Sequence, residues 1–302
     1  MKRQRKLNKT KAGRNKIRHL RSSSKKSRNK DFSLSARRKP AKKEEKKIDR
    51  PVYKTPEELI EERSSFPEAV KKEISHIRTT LSNTAIANEL RSGRRDLRKL
   101  KIVTIDSEET KDVDDGVSIC RLEDGKFELG VHIADVAHYV KEGTELDLEA
   151  YKRGTSVYLV DKVLPMLPQK LSNGICSLNV GENRFALSII MTINKKGYVE
   201  SYDIFESLIC VAYKITYKQI TALFEGDSAF YKQKDLEKEY AEHLEDIRLM
   251  RELAEVRHNM RYQRGAVDFE FPETHVTTDD NGKPIDIAED SVNFANNIIE
   301  EF

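Results

Sequence analysis

Ile102-Val103-Thr104-Ile105-Asp106-Ser107-Glu108-Glu109-Thr110-Lys111-Asp112-Val113-Asp114-Asp115-Gly116-Val117-Ser118-Ile119 holds two apolar runs separated by an acidic return. Lys101–Ile105 and Val117–Cys120 read as strands, rich in β-branched residues. Asp106 falls where the first strand ends, and Asp112, Asp114 and Asp115 occupy the return loop. A strand–loop–strand of this length aims several carboxylates at one point. Such clustering is costly unless a cation neutralises it. Aspartate oxygens are hard donors that suit Mg²⁺, with Mn²⁺ as the alternative, and not Zn²⁺. Mg²⁺ prefers one or two protein carboxylates together with phosphate oxygens, an arrangement that serves phosphodiester hydrolysis. The competing reading is a solvated acidic loop, against which the flanking apolar strands argue. An EF-hand is excluded, because the loop lacks the central Gly and the terminal Glu spacing. The metal reading predicts that all four aspartates converge within one ion's reach, with oxygen ligands only.

Working outward, Phe127–Ile133 alternates, with Leu129, Val131 and Ile133 on one face. Ala186–Ile193 and Tyr198–Cys210 continue the strand pattern, and Lys195-Lys196-Gly197 reads as the hairpin turn between them. A long helix is predicted over about Asp235–Arg264, ended by Gly265. Strands Val267–Phe271 and Thr274–Thr278 follow, then an Asn281-Gly282 turn. Val292–Phe302 has helical spacing and presents Phe294, Ile298, Ile299 and Phe302 on one side. That face is expected to lie uncovered, marking the domain as C-terminally incomplete. Upstream, residues 51–98 read as a helical connector packed on the body. In it Pro67 suits a first turn, Val70, Ile74 and Ile77 share a face, and a second helix stops at Gly93.

Charge divides the chain sharply. Residues 1–50 contain 22 Lys and Arg against 4 Asp and Glu, whereas the other 252 residues contain 33 against 47. The first 50 residues have almost no apolar periodicity and read as a disordered basic tail. It is either a polycation with affinity for phosphate backbones or an unconstrained solubilising segment. No apolar run approaches the roughly 20 residues of a membrane span, and no secretory h-region follows the basic start. Cys120, Cys176 and Cys210 are isolated, which argues against a disulfide scaffold or cysteine zinc site and for a reducing, cytoplasmic setting.

The motif IVTIDSEETKDVDDGVSI at Ile102–Ile119 resembles the catalytic signature of the ribonuclease II/ribonuclease R (RNB) family of exoribonucleases. The resemblance continues in register through VHIADVAHYV at Val131–Val140, GTSVYLVDKVLPMLP at Gly154–Pro168 and LSNGICSLN at Leu171–Asn179. MTINKKGYV at Met191–Val199 and RGAVDFEFPE at Arg264–Glu273 extend it, so that it covers Phe66 to Phe302. RGTSVYL and LSNGICSLN are most similar to the ribonuclease R branch. The resemblance implies an α+β fold, a mixed or antiparallel sheet flanked by helices, over residues 99–302. It implies 3′→5′ hydrolysis of single-stranded RNA to nucleoside 5′-monophosphates by a monomer. Asp106 and Asp115 match the family's principal metal ligands, and Asp112 and Asp114 match the other two motif aspartates. Asp114 falls on the residue whose loss is expected to stop cleavage while sparing RNA binding. Tyr158 falls on a tyrosine that stacks against a nucleotide near the 3′ end.

Other polar residues read differently. His132, Asp135 and His138 read as structural, and Arg184 as a surface or capping arginine. Gly116 stands where the family more often has alanine, a small change expected to be tolerated. The chain lacks the later arginine-rich segment of the HFTSPIRRY type, which helps to clamp the scissile phosphate. The rival to an active enzyme is therefore a catalytically inactive RNA-binding fragment of the same family.

Overall fold

The alternation of Phe127–Ile133 lies at the centre of a mixed sheet, and the flanking helices complete the expected α+β architecture. A computed structural model describes residues 55–160, 162–267, 273–279, 283–290 and 294–302 of the chain. The basic tail, most of the strand expected at Val267–Phe271 and the Asn281-Gly282 turn lie outside the described residues.

Helices α1 (Pro56–Arg63), α2 (Glu68–Ser75) and α3 (Asn83–Arg91) come first. The hydroxyls of Thr55 and Ser82 cap α1 and α3, and Gly93, at φ 113°, turns the chain out of the last helix. Four strands follow: β1 (Arg95–Asp96), β2 (Ile102–Asp106), β3 (Asp115–Arg121) and β4 (Phe127–Ala134). Helix α4 (Glu145–Arg153), the hairpin of β5 (Val157–Tyr158) with β6 (Val163–Leu164), and a π-helical turn at Lys170–Ile175 lead to β7 (Asn183–Ile193) and β8 (Val199–Thr216). The remainder is α5 (Tyr217–Glu225), α6 (Gln233–Glu239), α7 (Leu244–Gln263), the hairpin of β9 (Glu273–Thr278) with β10 (Pro284–Asp290), and α8 (Phe294–Glu300).

The main sheet runs β1-β8-β2-β3-β4-β7, and β7 pairs again with β8. Strand β8 makes this return through its length. Its first part lies antiparallel to β7, and its last residues run parallel to β2. Five of the strands therefore form a closed ladder, with β1 added beside β8.

Closure gives the sheet an outside and an inside. Val103, Ile105, Val117, Ile119, Phe127 and Leu129 face outward and pack against Ile220, Leu236, Ile247, Met250, Leu253 and Ile298 of the helices. Inside there is little room, and the cross-strand rows are small or polar: Gly116–His132–Ser188 and Ala134–Ala186–Ser207. His132 is fully buried there, which pushes its pKa down to about 4. Its Nε2 lies 3.0 Å from Ser118 Oγ and its Nδ1 lies 2.7 Å from Ser188 Oγ. Ser188 in turn contacts Ser207 at 2.6 Å, and Ser207 donates to the Ala186 carbonyl at 3.3 Å. A carbonyl only accepts, so each hydroxyl donates one step toward Ala186, and neutral His132 carries its proton on Nδ1. Gly130 makes space for this row, since a Cβ there would stand 2.9 Å from His132 Nε2 and 2.8 Å from Ile190 Cδ1.

Two expectations are corrected. The helix over Asp235–Arg264 is broken at Tyr240–His243 into α6 and α7. Tyr240 anchors its hydroxyl on the Lys214 carbonyl at 3.2 Å, and His243 stacks on Tyr213 at 3.8 Å, so tertiary contacts override helical periodicity. The apolar side of α8 is also covered. Ala295 and Ile298 are buried in the outer core, with Phe294, Ile299 and Phe302 packed against it. No helix among the described residues is long and apolar enough to cross a membrane.

Candidate active site

Asp106 closes β2 and Asp115 opens β3, and the antiparallel pair Val103–Val117 holds these two strand ends side by side. On the other flank Asp106 registers with Thr216, the residue that caps the N-terminus of α5. The loop between the strands is held from several directions. Lys214 Nζ donates to the Thr110 carbonyl at 3.0 Å. Ser177 Oγ donates to the Lys111 carbonyl at 2.8 Å and accepts from the Val113 amide at 3.1 Å. The Leu178 amide donates to the Val113 carbonyl, and the Ala134 amide to the Asp114 carbonyl, each at 2.8 Å. Buried Val113 plants the loop in the inner core with Ile102 and Leu178, while Asp112 is half-buried and Asp114 is exposed.

The four carboxylates share one electrostatic neighbourhood. Burial, then the charge of Asp115, pushes Asp106 up to about 6, with Lys214 opposing and Asp112 and Asp114 adding to the rise. Asp114 is raised by desolvation and by Asp112 and Asp115, and Asp115 is raised by desolvation. Tyr217 borders the same cluster, its hydroxyl pushed up to about 12 by burial and by the charges of Asp106 and Asp115. Tyr158 reaches it from the β5–β6 hairpin, donating to Asp112 Oδ2 at 3.1 Å while its side chain stays 66% exposed. The carboxylates do not close into a cage. Among the described residues no group of three or more His, Cys, Asp and Glu is placed to hold one ion, so the expected four-way convergence is not met.

Arg184 and Gly116 depart in part from expectation, whereas Asp135 and His138 are structural as expected. Arg184 is not a surface arginine, being only 2% exposed, and it takes the capping alternative, bonding backbone carbonyls at the end of the Lys170–Ile175 turn. Its Nε donates to the Ser177 carbonyl at 2.7 Å and its Nη2 to the Gly174 carbonyl at 3.1 Å, with Glu182 as its ion partner. Asp135 caps the short turn at Val136–His138 and pairs with buried Arg94 at 2.8 Å, and His138 packs against Tyr139 and Phe185. Gly116 is tighter than expected, because a Cβ there would meet Ile102 Cγ2 at 2.9 Å. Sequence reasoning passed over Lys214, Ser177 and Tyr217. Lys214 left a signal, a lone cation in the apolar run Ile209–Ile215. Ser177 left none beyond lying in LSNGICSLN.

A family model described as the RNB domain matches residues 94–302 of the chain. The chain belongs to the RNB-domain family. This RNB-domain chain is 42% identical over 260 residues to ribonuclease R of Thermotoga maritima, covering 84% of this chain and 35% of that protein. It is 40% identical over 251 residues to ribonuclease R 1 of Lactococcus lactis, covering 83% of this chain and 28% of that protein. The chain thus spans about a third of the length of the curated relatives it matches. A solved structure of Mycoplasma genitalium RNase R in complex with ribose-methylated single-stranded RNA superimposes with a TM-score of 0.70 at 25% identity. That likeness covers 81% of this chain and 37% of the other.

Proposed function

We propose that this RNB domain is catalytic, removing nucleotides from the 3′ end of single-stranded RNA and releasing nucleoside 5′-monophosphates by metal-assisted hydrolysis. The observation that carries the reading is the loop of Asp106, Asp112, Asp114 and Asp115, four mutually repelling carboxylates fixed by neighbouring strands in an RNB fold. A purely structural acidic loop would relieve that repulsion by spreading into solvent, whereas this one is bonded down at Thr110, Lys111, Val113 and Asp114.

The donor set fits a hard divalent cation, Mg²⁺ or Mn²⁺, because it offers only carboxylate oxygens and carries surplus negative charge. Mg²⁺ keeps waters and takes only one or two protein carboxylates beside phosphate oxygens. Asp106 and Asp115 would be the principal residues to hold the ion, with Asp112 and Asp114 as the further carboxylates available to it. When bound, the ion supplies water activation and neutralises charge on the scissile phosphate. Asp114, the exposed member, orients the attacking water and the phosphate. Tyr158 is aimed by its bond to Asp112 and offers its exposed ring to a base near the 3′ end. The basic tail adds salt-sensitive affinity for the RNA backbone. The proposed setting is the cytoplasm, where the thiols of Cys120, Cys176 and Cys210 would stay reduced, and the proposed state is a monomer.

The test uses 5′-labelled single-stranded RNA with Mg²⁺. Stepwise shortening from the 3′ end is expected, falling by about 10³-fold or more in Asp114→Asn while RNA binding is kept. Metal-independent RNA binding without shortening would identify an inactive RNA-binding domain and overturn the proposal.

A further inference from the structure

The carboxylate loop has one turn at Glu108–Glu109 but no helix or strand between Ser107 and Asp114, yet its charges repel one another. Something outside it must set its shape. The bonds to Thr110 and to the Val113 and Asp114 carbonyls each fix one atom, whereas the hydroxyl of Ser177 fixes two. It donates to the Lys111 carbonyl at 2.8 Å and accepts from the Val113 amide at 3.1 Å, so it grips the backbone on both sides of Asp112. Ser177 is itself fully buried and held in place. Buried Arg184 donates to the Ser177 carbonyl at 2.7 Å and to the Gly174 carbonyl at 3.1 Å. The order is therefore Arg184, Ser177, loop backbone, Asp112, and through Asp112 the Tyr158 hydroxyl.

We propose that Ser177 is a positioning residue, whose hydroxyl sets the spacing of the carboxylates for a divalent cation by clamping the backbone around Asp112. The proposal rests on the metal-dependent reading of the cluster. Ser177 has an advantage over Lys214 as the residue to test. It is uncharged, so its removal changes geometry without changing the field at the cluster. Partners that orient metal ligands without touching the metal commonly change affinity about 10–100-fold when lost.

The experiment is a titration of the full chain with Mn²⁺, read by electron paramagnetic resonance, for wild type, Ser177→Ala and Ser177→Cys. Amide exchange at Val113 and thermal melting are measured on the same samples. Ser177→Ala is expected to weaken Mn²⁺ binding about tenfold or more, to speed exchange at Val113, and to keep a single cooperative melt. Ser177→Cys, nearly isosteric but a weak hydrogen-bonding group, should fall between the two, and it replaces Ser177→Ala if that variant does not fold. Unchanged Mn²⁺ affinity in folded variants, with wild type binding normally, would overturn the role of Ser177 and leave the cluster as a metal site. If wild type itself fails to bind Mn²⁺, the metal reading fails and the role of Ser177 falls with it.

Discussion

Strand β3 takes part in two polar clusters built on opposite plans. One lies inside the closed ladder, where Ser118, His132, Ser188 and Ser207 hand hydrogen bonds from one to the next until the Ala186 carbonyl ends the chain. It is neutral, fully buried, and each of its groups has a partner. The other lies at the ends of β2 and β3, where aspartates repel one another and are driven toward protonation. A satisfied neutral network specifies a core, because each member would be costly to strand without its partner. A cluster of repelling charges opposes folding, because each carboxylate raises the cost of ionising its neighbours. Strand β3 thus serves both a neutral, satisfied cluster and a charged, repelling one. Solvent access and charge distinguish them.

The sharpest way to break the neutral cluster is to remove its space. Gly130→Ala places a methyl against Ser118, Ile190 and His132, and should cost about 3 kcal/mol in a urea melt. A methyl at an exposed site of β4 should cost far less. If Gly130→Ala is neutral, the row is not close-packed and the contrast fails.

Acid tests the same cluster without mutation. Folded His132 refuses a proton until about pH 4, whereas the unfolded chain takes one up near 6.5. This contribution to stability is intact above pH 6.5 and declines as pH falls toward 4, by roughly 3 kcal/mol at most. A His132 NMR titration with a midpoint near 6.5 in the folded protein would remove the premise.

The charged cluster should respond in the opposite sense. Asp106→Asn removes repulsion, so at neutral pH without added metal it should stabilise the fold, by about 1 kcal/mol once solvent screening is allowed for. Adding Mg²⁺ should raise the melting temperature of wild type more than that of the variant. A loss of stability in Asp106→Asn would place that carboxylate among the structural groups.

The smallest effect is expected at the boundary of the charged cluster. Tyr158→Phe loses one exposed hydrogen bond to Asp112 and should change stability by only a few tenths of a kcal/mol. Tyr158→Ala should also leave stability nearly unchanged while weakening binding of single-stranded RNA by about 1–3 kcal/mol if the ring stacks on a base. Equal RNA affinity in all three proteins would separate Tyr158 from the substrate.

The sequence by itself determined the outward-facing half of this fold. Leu129 and Val131 alternate with polar neighbours, and a period of two can bury only one face of a strand against helices. It also determined that Asp106, Asp112, Asp114 and Asp115 would lie at or between two neighbouring strand ends, but not how closely their carboxylates approach. Tertiary structure alone decided what lies on the other face. Gly130 and His132 lie there, and the return of β8 onto β7 encloses both. Closure depends on β8 pairing not only with its hairpin partner β7 but also with β2, about a hundred residues earlier, a contact that no local period encodes. Tertiary structure also decided the grip of Ser177 on the loop and the burial of Arg184. Both depend on a segment more than sixty residues downstream folding back beneath the aspartates. Helix α6 ends at Tyr240 for the same reason, because a hydrogen bond and an aromatic stack to β8 outweigh the apolar stripe that would have continued it.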